Sequence, residues 1–164
     1  MVPPFYRSVK KIKTNHSSKA QFPIYLLINL LLPTAIKIHC NFSTVSKIAL
    51  TVGMGIILQQ GNRATLGEFV KSFTQALLPA ATSLRTMGEG SLCFTVQAEN
   101  KQALEALWQR YQDGTLQRNL QEFLVTDDIR QLAGGEEVIL SAYIDEQDYN
   151  NARLSISIAE QQGE

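Results

Sequence analysis

The 164-residue chain is poor in the groups from which small catalytic and metal sites are built: it has two cysteines, one tryptophan and two histidines, His16 and His39, with no histidine after residue 39. Two cysteines exclude a disulfide framework, and with so few soft ligands they exclude a zinc cluster as well. Ten glycines and five prolines are too few for a fibrous or low-complexity protein, and 45% hydrophobic against 18% charged residues argues against wholesale disorder. Acidic side chains are missing from the first 67 residues, where eight basic ones stand; Glu68 is the first acid, and the remainder holds the other seven basic residues and all fifteen acids. The neutral total therefore hides a basic segment followed by an acidic one.

The switch in sign, with the turn-forming Gln59-Gln60-Gly61-Asn62, marks a boundary near residues 61 to 63. On this reading residues 1–60 are a basic and apolar N-terminal extension and residues 61–164 one α/β domain. Within the extension, Phe22 to Ile36 is a 15-residue apolar run broken by Asn29 and two prolines, and Ile48 to Leu58 is an 11-residue run. As helices they reach roughly 22 and 17 Å, short of the ~30 Å hydrocarbon core of a bilayer. A basic stretch ahead of such a run also resembles a signal peptide or anchor, although no Ala-x-Ala site follows. Three readings stay open: a targeting or membrane-associated segment making contact through Phe22 to Leu58, a poorly ordered extension, or part of the core.

The acidic half reads as α+β. Thr65 followed by Glu68 is a capping-box spacing, and Leu66, Phe69, Val70, Phe73 and Leu77 form a helical stripe that Pro79 ends, with a second short helical piece to Leu84. Ser91 to Ala98 alternates, Leu92, Phe94, Val96 and Ala98 on one face and Cys93, Thr95 and Gln97 on the other. Asn100 caps a helix with Leu104, Leu107, Trp108 and Tyr111 on its core stripe, stopped by Asp113-Gly114; Thr115 opens a second with Leu116, Leu120, Phe123 and Leu124. A short helical turn follows Thr126, closed by Gly134-Gly135, then an alternating strand from Glu137 to Ile144, and a final helix whose stripe is Tyr149, Ala152, Ile156 and Ala159. Two strands do not make a stable sheet. The missing ones come from the first half, around Ala35 to Leu58, or from another chain.

From Gly90 to Tyr149, about 60 residues, the sequence resembles the TRADD-like N-terminal domain family, the TRAF-binding module of a death-domain adaptor. The residues that carry the resemblance are Leu92, Phe94 and Val96, the block Leu107-Trp108-x-x-Tyr111-x-x-Gly114-x-Leu116, the Leu120/Leu124 pair, Leu124-Val-Thr-Asp-Asp128, and the corner from Ile144-Asp145-Glu146 to Tyr149. The resemblance implies an α/β sandwich, a mostly antiparallel sheet covered by helices. It also implies a non-enzymatic role in apoptotic or immune signalling in the cytoplasm, with a TRAF-type adaptor or a second copy as protein partner.

The residues fit that role. Without histidine the acidic half offers no Ser-His-Asp or Cys-His arrangement, Cys93 reads as a small apolar filler, and Asp127-Asp128 and Glu136-Glu137 read as capping and loop charges. Neither cofactor, metal ion nor small-molecule substrate is expected. The basic segment lacks the aromatic interleaving of a nucleic-acid binder, so no nucleic-acid partner is expected either. The candidate partner-binding residues are the outward strand positions Cys93, Thr95, Gln97, Ile139, Ser141 and Tyr143, with Ile139 and Tyr143 as apolar anchors. The opposing reading is that another helix covers these positions as core.

Overall fold

A computed structural model of the chain describes residues 34–52, 54–58, 65–88 and 92–162. Along these run strands β1 (Ala35–Thr44) and β2 (Ala49–Leu50), helices α1 (Met54–Leu58) and α2 (Leu66–Leu77), strands β3 (Thr82–Met87) and β4 (Leu92–Ala98), helices α3 (Lys101–Gln112), α4 (Thr115–Leu124) and α5 (Asp127–Leu132), strand β5 (Val138–Ile144), and helix α6 (Glu146–Gln162). The expected α+β class holds: one antiparallel sheet with helices against it.

The sheet is organised about β1. Ile38, His39 and Cys40 each have a partner in both β4 and β5, so those strands flank β1 on opposite sides. Phe42 is likewise paired with Leu140 on one side and Leu50 on the other, which places β2 beside the far end of β1, on the side of β4. β3 pairs with β4 and forms one edge, β5 the other. The missing strand thus comes from the first half of the chain, one of the two sources weighed, and it crosses the charge switch into the same sheet as β4 and β5. Its sequence, AIKIHCNFST, alternates as a half-buried strand should, with Ile36, Ile38, Cys40, Phe42 and Thr44 buried.

One expected helical piece is a strand instead. Pro79 follows the end of α2, Ala81 turns the chain at φ 62°, and Thr82 Oγ1 donates to Pro79 O at 2.7 Å, so Thr82, Ser83 and Leu84 enter the ladder opposite Ala98, Gln97 and Val96. Pairing with an already formed β4 outweighs a helical continuation too short to bury anything.

Two helices start on the side-chain caps read from the sequence, whereas Thr126, ahead of α5, makes no side-chain cap bond. Thr65 Oγ1 accepts from Glu68 N at 3.2 Å at the head of α2, and Asn100 Oδ1 from Ala103 N at 2.8 Å at the head of α3. Gly114, at φ 82°, supplies the left-handed turn between α3 and α4 that the sequence predicts. The core gathers under the inner face of the sheet: Phe69 and Phe73 from α2, Phe94 from β4 and Phe123 from α4 form one aromatic cluster, with Leu104, Leu107, Leu116, Leu120 and Leu124 filling in beside it. Trp108 is only half-buried. It stacks on Tyr149 of α6 at 4.2 Å and 6°, joining two helices at the margin of the core rather than filling its centre. Leu66 and Ala159, read as stripe residues, are exposed for a related reason: each sits at a helix end, beyond the layer it would cover.

The β5 edge is closed by a side chain. Gln121 of α4 donates Nε2–H to Val138 O at 2.7 Å and accepts from Leu140 N at 2.6 Å, so its carboxamide stands in for the peptide group of a missing strand. Exposed edges invite pairing with other chains, and this clasp blocks that one. Gln121→Ala leaves two partly buried backbone groups unsatisfied. It is expected to cost about 1–3 kcal/mol, read as a lowered urea midpoint, with faster amide exchange at Leu140 than at Ile38.

Candidate functional site

The outer face of the sheet carries the six positions singled out from the sequence. On β4, Cys93, Thr95 and Gln97 alternate with buried Leu92, Phe94, Val96 and Ala98; on β5, Ile139, Ser141 and Tyr143 alternate with inward Val138, Leu140 and Ile144. β1 runs between them and brings the two sets together. His39 is paired with Cys93 on one side and Tyr143 on the other, and its ring lies 6.2 Å from that of Tyr143. Asn41 stands opposite Ser141, and Ser43 opposite Ile139.

Of the two readings for this face, burial under a helix is not what the described residues show: Ile139 is 42% exposed and Tyr143 54% exposed, and the described helices pack on the inner face. Cys93, read as apolar filler, is half-buried beside His39. Burial pushes its thiol up, the nearby charge of Lys37 pulls it back, and Asp148 raises it again. Cys40, on the inner face, is pushed up to about 12, first by burial and then by Cys93. Both are poor thiolates at neutral pH, so neither is primed as a nucleophile.

Two groups of this face are absent from the sequence-based set. The outward residues of β1, among them Lys37, His39, Asn41 and Ser43, were grouped with the extension, although the period-two pattern from Ile36 to Ser43 was there to read. Arg85 lies just past the piece read as helical, which ended at Leu84; it sits at a bulge between Leu84 and Thr86 and donates from Nε to Gln97 Oε1 at 2.6 Å. Gln97 in turn donates from Nε2 to Thr34 Oγ1 at 3.2 Å, so the guanidinium is held down on the sheet.

Elsewhere, an open hollow of about 360 Å³ lies at the head of α3, lined by Asn100, Lys101, Gln102, Glu105 and Glu160. The Glu160 carboxylate is engaged there with Lys101 N at 3.1 Å, and none of the six candidates takes part. Among the described residues no three His, Cys, Asp or Glu side chains are grouped to hold a metal ion. No described helix is long and apolar enough to cross a membrane: within the run Ile48 to Leu58 lie β2 and the five-residue α1. Most of the run Phe22 to Ile36 lies outside the described residues, as does the basic segment before it.

The chain is 31% identical over 77 residues to the death effector domain-containing protein of Homo sapiens, an alignment covering 47% of this chain and 24% of that protein, and equally so to the Mus musculus protein of that name. It is 27% identical over 109 residues to the DNA-binding death effector domain-containing protein 2 of Homo sapiens, covering 66% of this chain and 33% of the relative. The chain thus spans a quarter to a third of the length of these relatives. No solved structure matches it. The family model of the TRADD-like N-terminal domain matches residues 67–129, which run from the first turn of α2 through β3, β4, α3 and α4 into α5 and take in Cys93, Thr95 and Gln97 of the open face. Residues 67–129, under half of the chain, are thus similar to the TRADD-like N-terminal domain.

Proposed function

We propose that this chain is a non-enzymatic protein-interaction module of a cytoplasmic signalling assembly, and that it docks its partner on the outer face of the sheet through Cys93, Thr95, Gln97, Ile139, Ser141 and Tyr143. The observation that carries this reading is the exposure of Tyr143 and Ile139 on a sheet whose opposite face is fully packed. Soluble domains rarely leave aromatic and aliphatic side chains together on an open sheet without a use for them, and interface anchors favour an aromatic residue ringed by polar ones. Tyr143 has His39 and Ser141 beside it.

The family match and the relatives named for a death effector domain support a signalling adaptor over an enzyme. The partner class is a TRAF-type adaptor, a death-effector-domain protein or a second copy of this chain. One relative is named as DNA-binding; the open face, with one lysine, one arginine and one histidine, offers few phosphate contacts by comparison with a nucleic-acid interface.

The test is titration calorimetry of the full chain against a TRAF-type domain, a death effector domain and itself. Tyr143→Ser combined with Ile139→Ser is expected to weaken the productive interaction by about 2 kcal/mol or more, roughly thirtyfold, while the melting temperature stays within about 2 °C. Leu154→Ser, which alters an exposed leucine on α6, is expected to leave binding intact. The opposite pattern would move the docking site to the helices.

A further inference from the structure

The outer face is uneven in charge and in polarity. Its apolar residues gather at one end: Ile139 is 42% exposed opposite Ser43, and Val45, 56% exposed, continues the outward set of β1 where its N–H donates to Glu137 O at 3.2 Å. Tyr143 stands two outward positions further along β5. At the other end lie Lys37 and Arg85. Neither is among the ion pairs of the described residues, which join Arg130 to Asp127 and Arg153 to Glu105, and none of the outward strand residues is acidic. Carboxylates stand just beyond the strand ends there: exposed Glu99 follows β4, and at the start of α6 Asp145 accepts from Gln147 N at 2.8 Å while Asp148 acts on Cys93 through space.

An unpaired arginine on a surface is ordinarily mobile, and holding it costs side-chain entropy. Here the Arg85–Gln97–Thr34 chain has already fixed the guanidinium on the sheet, through Nε, which among the described residues leaves its terminal nitrogens available to grip a carboxylate in the two-pronged manner arginine favours. In a chain with as many acids as bases, a sheet face whose described outward strand residues include Lys37 and Arg85 and no acid is the complement of an acidic partner.

Resting on the docking role proposed above, we infer that the face receives an amphipathic helix of another protein, apolar where it meets Val45, Ile139 and Tyr143 and carrying carboxylates where it reaches Lys37 and Arg85. A helix is the element that ordinarily covers a sheet face. From Lys37 to Val45 is eight strand steps, about 26 Å at the usual rise of a strand, which a helix of roughly 17 residues spans.

The experiment selects 17-residue peptides from a phage-displayed helical library, with a fixed leucine stripe and random remaining positions, on the immobilised full chain and on its Lys37→Glu/Arg85→Glu variant. The expected winners on the native chain carry Asp and Glu clustered at one end. They bind the double variant more weakly, on the order of tenfold, and selection on that variant favours Lys and Arg instead. Should the double variant lose its thermal transition, Lys37→Glu alone carries the same comparison at a smaller factor. Winners without acidic bias that still lose binding to Tyr143→Ser would overturn the acidic helix and leave the docking face standing; winners indifferent to Tyr143→Ser and to the charge reversals would overturn both. Displacement of the peptides by a 20-base-pair DNA duplex at micromolar concentration would assign the face to nucleic acid and overturn the inference, as would a selection that yields no binder.

Discussion

Residues 61–164, expressed without the residues before them, are expected to show no cooperative thermal transition, whereas the full chain shows one. The reason lies in β1. Ile36 and Ile38 are fully buried and Cys40 and Phe42 nearly so, between β4 and β5 and over the helices. At about 1.5–3 kcal/mol for each large apolar side chain, losing the strand removes roughly 5–9 kcal/mol, as much as a whole domain of this size has to spend. It also separates β4 from β5, which have no other contact in the sheet, and bares an unpaired edge on each. The shorter chain should bind a hydrophobic dye and aggregate as it is concentrated. In the full chain, Ile38→Asp should reproduce the loss, because a carboxylate placed between two paired strands has neither water nor a partner. Circular dichroism melts of the three proteins check this. A sharp transition in residues 61–164 near that of the full chain would show that the helices and outer strands close a core by themselves.

That dependence explains what could and could not be read from the sequence. α3 and α4 were legible because their signals are local: Asn100 as a cap, Gly114 at its left-handed turn, leucines at helical spacing. β4 and β5 were legible for the same reason, and with them the six outward candidates. Two things were not. The charge switch at Glu68 set β1 apart from the domain, since charge patterning reports on the surface, and the buried half of β1 is indifferent to it. Thr82–Met87 has no strong propensity of its own and becomes a strand because β4 is there to pair with. Lys37 and His39 thus stood in a stretch left open between extension and core, and Arg85 just past the piece read as helical, so none of them joined the outward set. What remained was an open face with its apolar anchors in place but its cations missing. Trp108 shows the complementary limit. A helical stripe tells which side of α3 faces inward, but the depth at which each residue on that side ends up is set by the neighbouring helix, here α6 with Tyr149.

Phe73→Ala is expected to cost about 3–5 kcal/mol, the range for emptying a fully buried aromatic site. The side chain has no exposed surface, lies 4.5 Å from the ring of Phe94, and meets Phe69 and Phe123 at 5.9 Å, the latter edge-on at 87°. Removing it takes away the transfer energy of the ring and its aromatic contacts, each worth about 0.5–1.5 kcal/mol beyond burial. It also leaves a cavity that three rings, anchored on α2, β4 and α4, cannot all move to fill. Phe73→Leu keeps most of the volume and should cost under half as much. Trp108→Ala should also cost less than Phe73→Ala, because the indole is half-exposed and loses chiefly its stack on Tyr149. Urea titration followed by far-ultraviolet circular dichroism, which needs no tryptophan, orders the three through their midpoints at constant slope. If Trp108→Ala proved the most damaging, the centre of the core would lie between α3 and α6, and the phenylalanine cluster under β4 would be peripheral. The order expected here follows instead from a sheet that buries its inner face on α2 and α4.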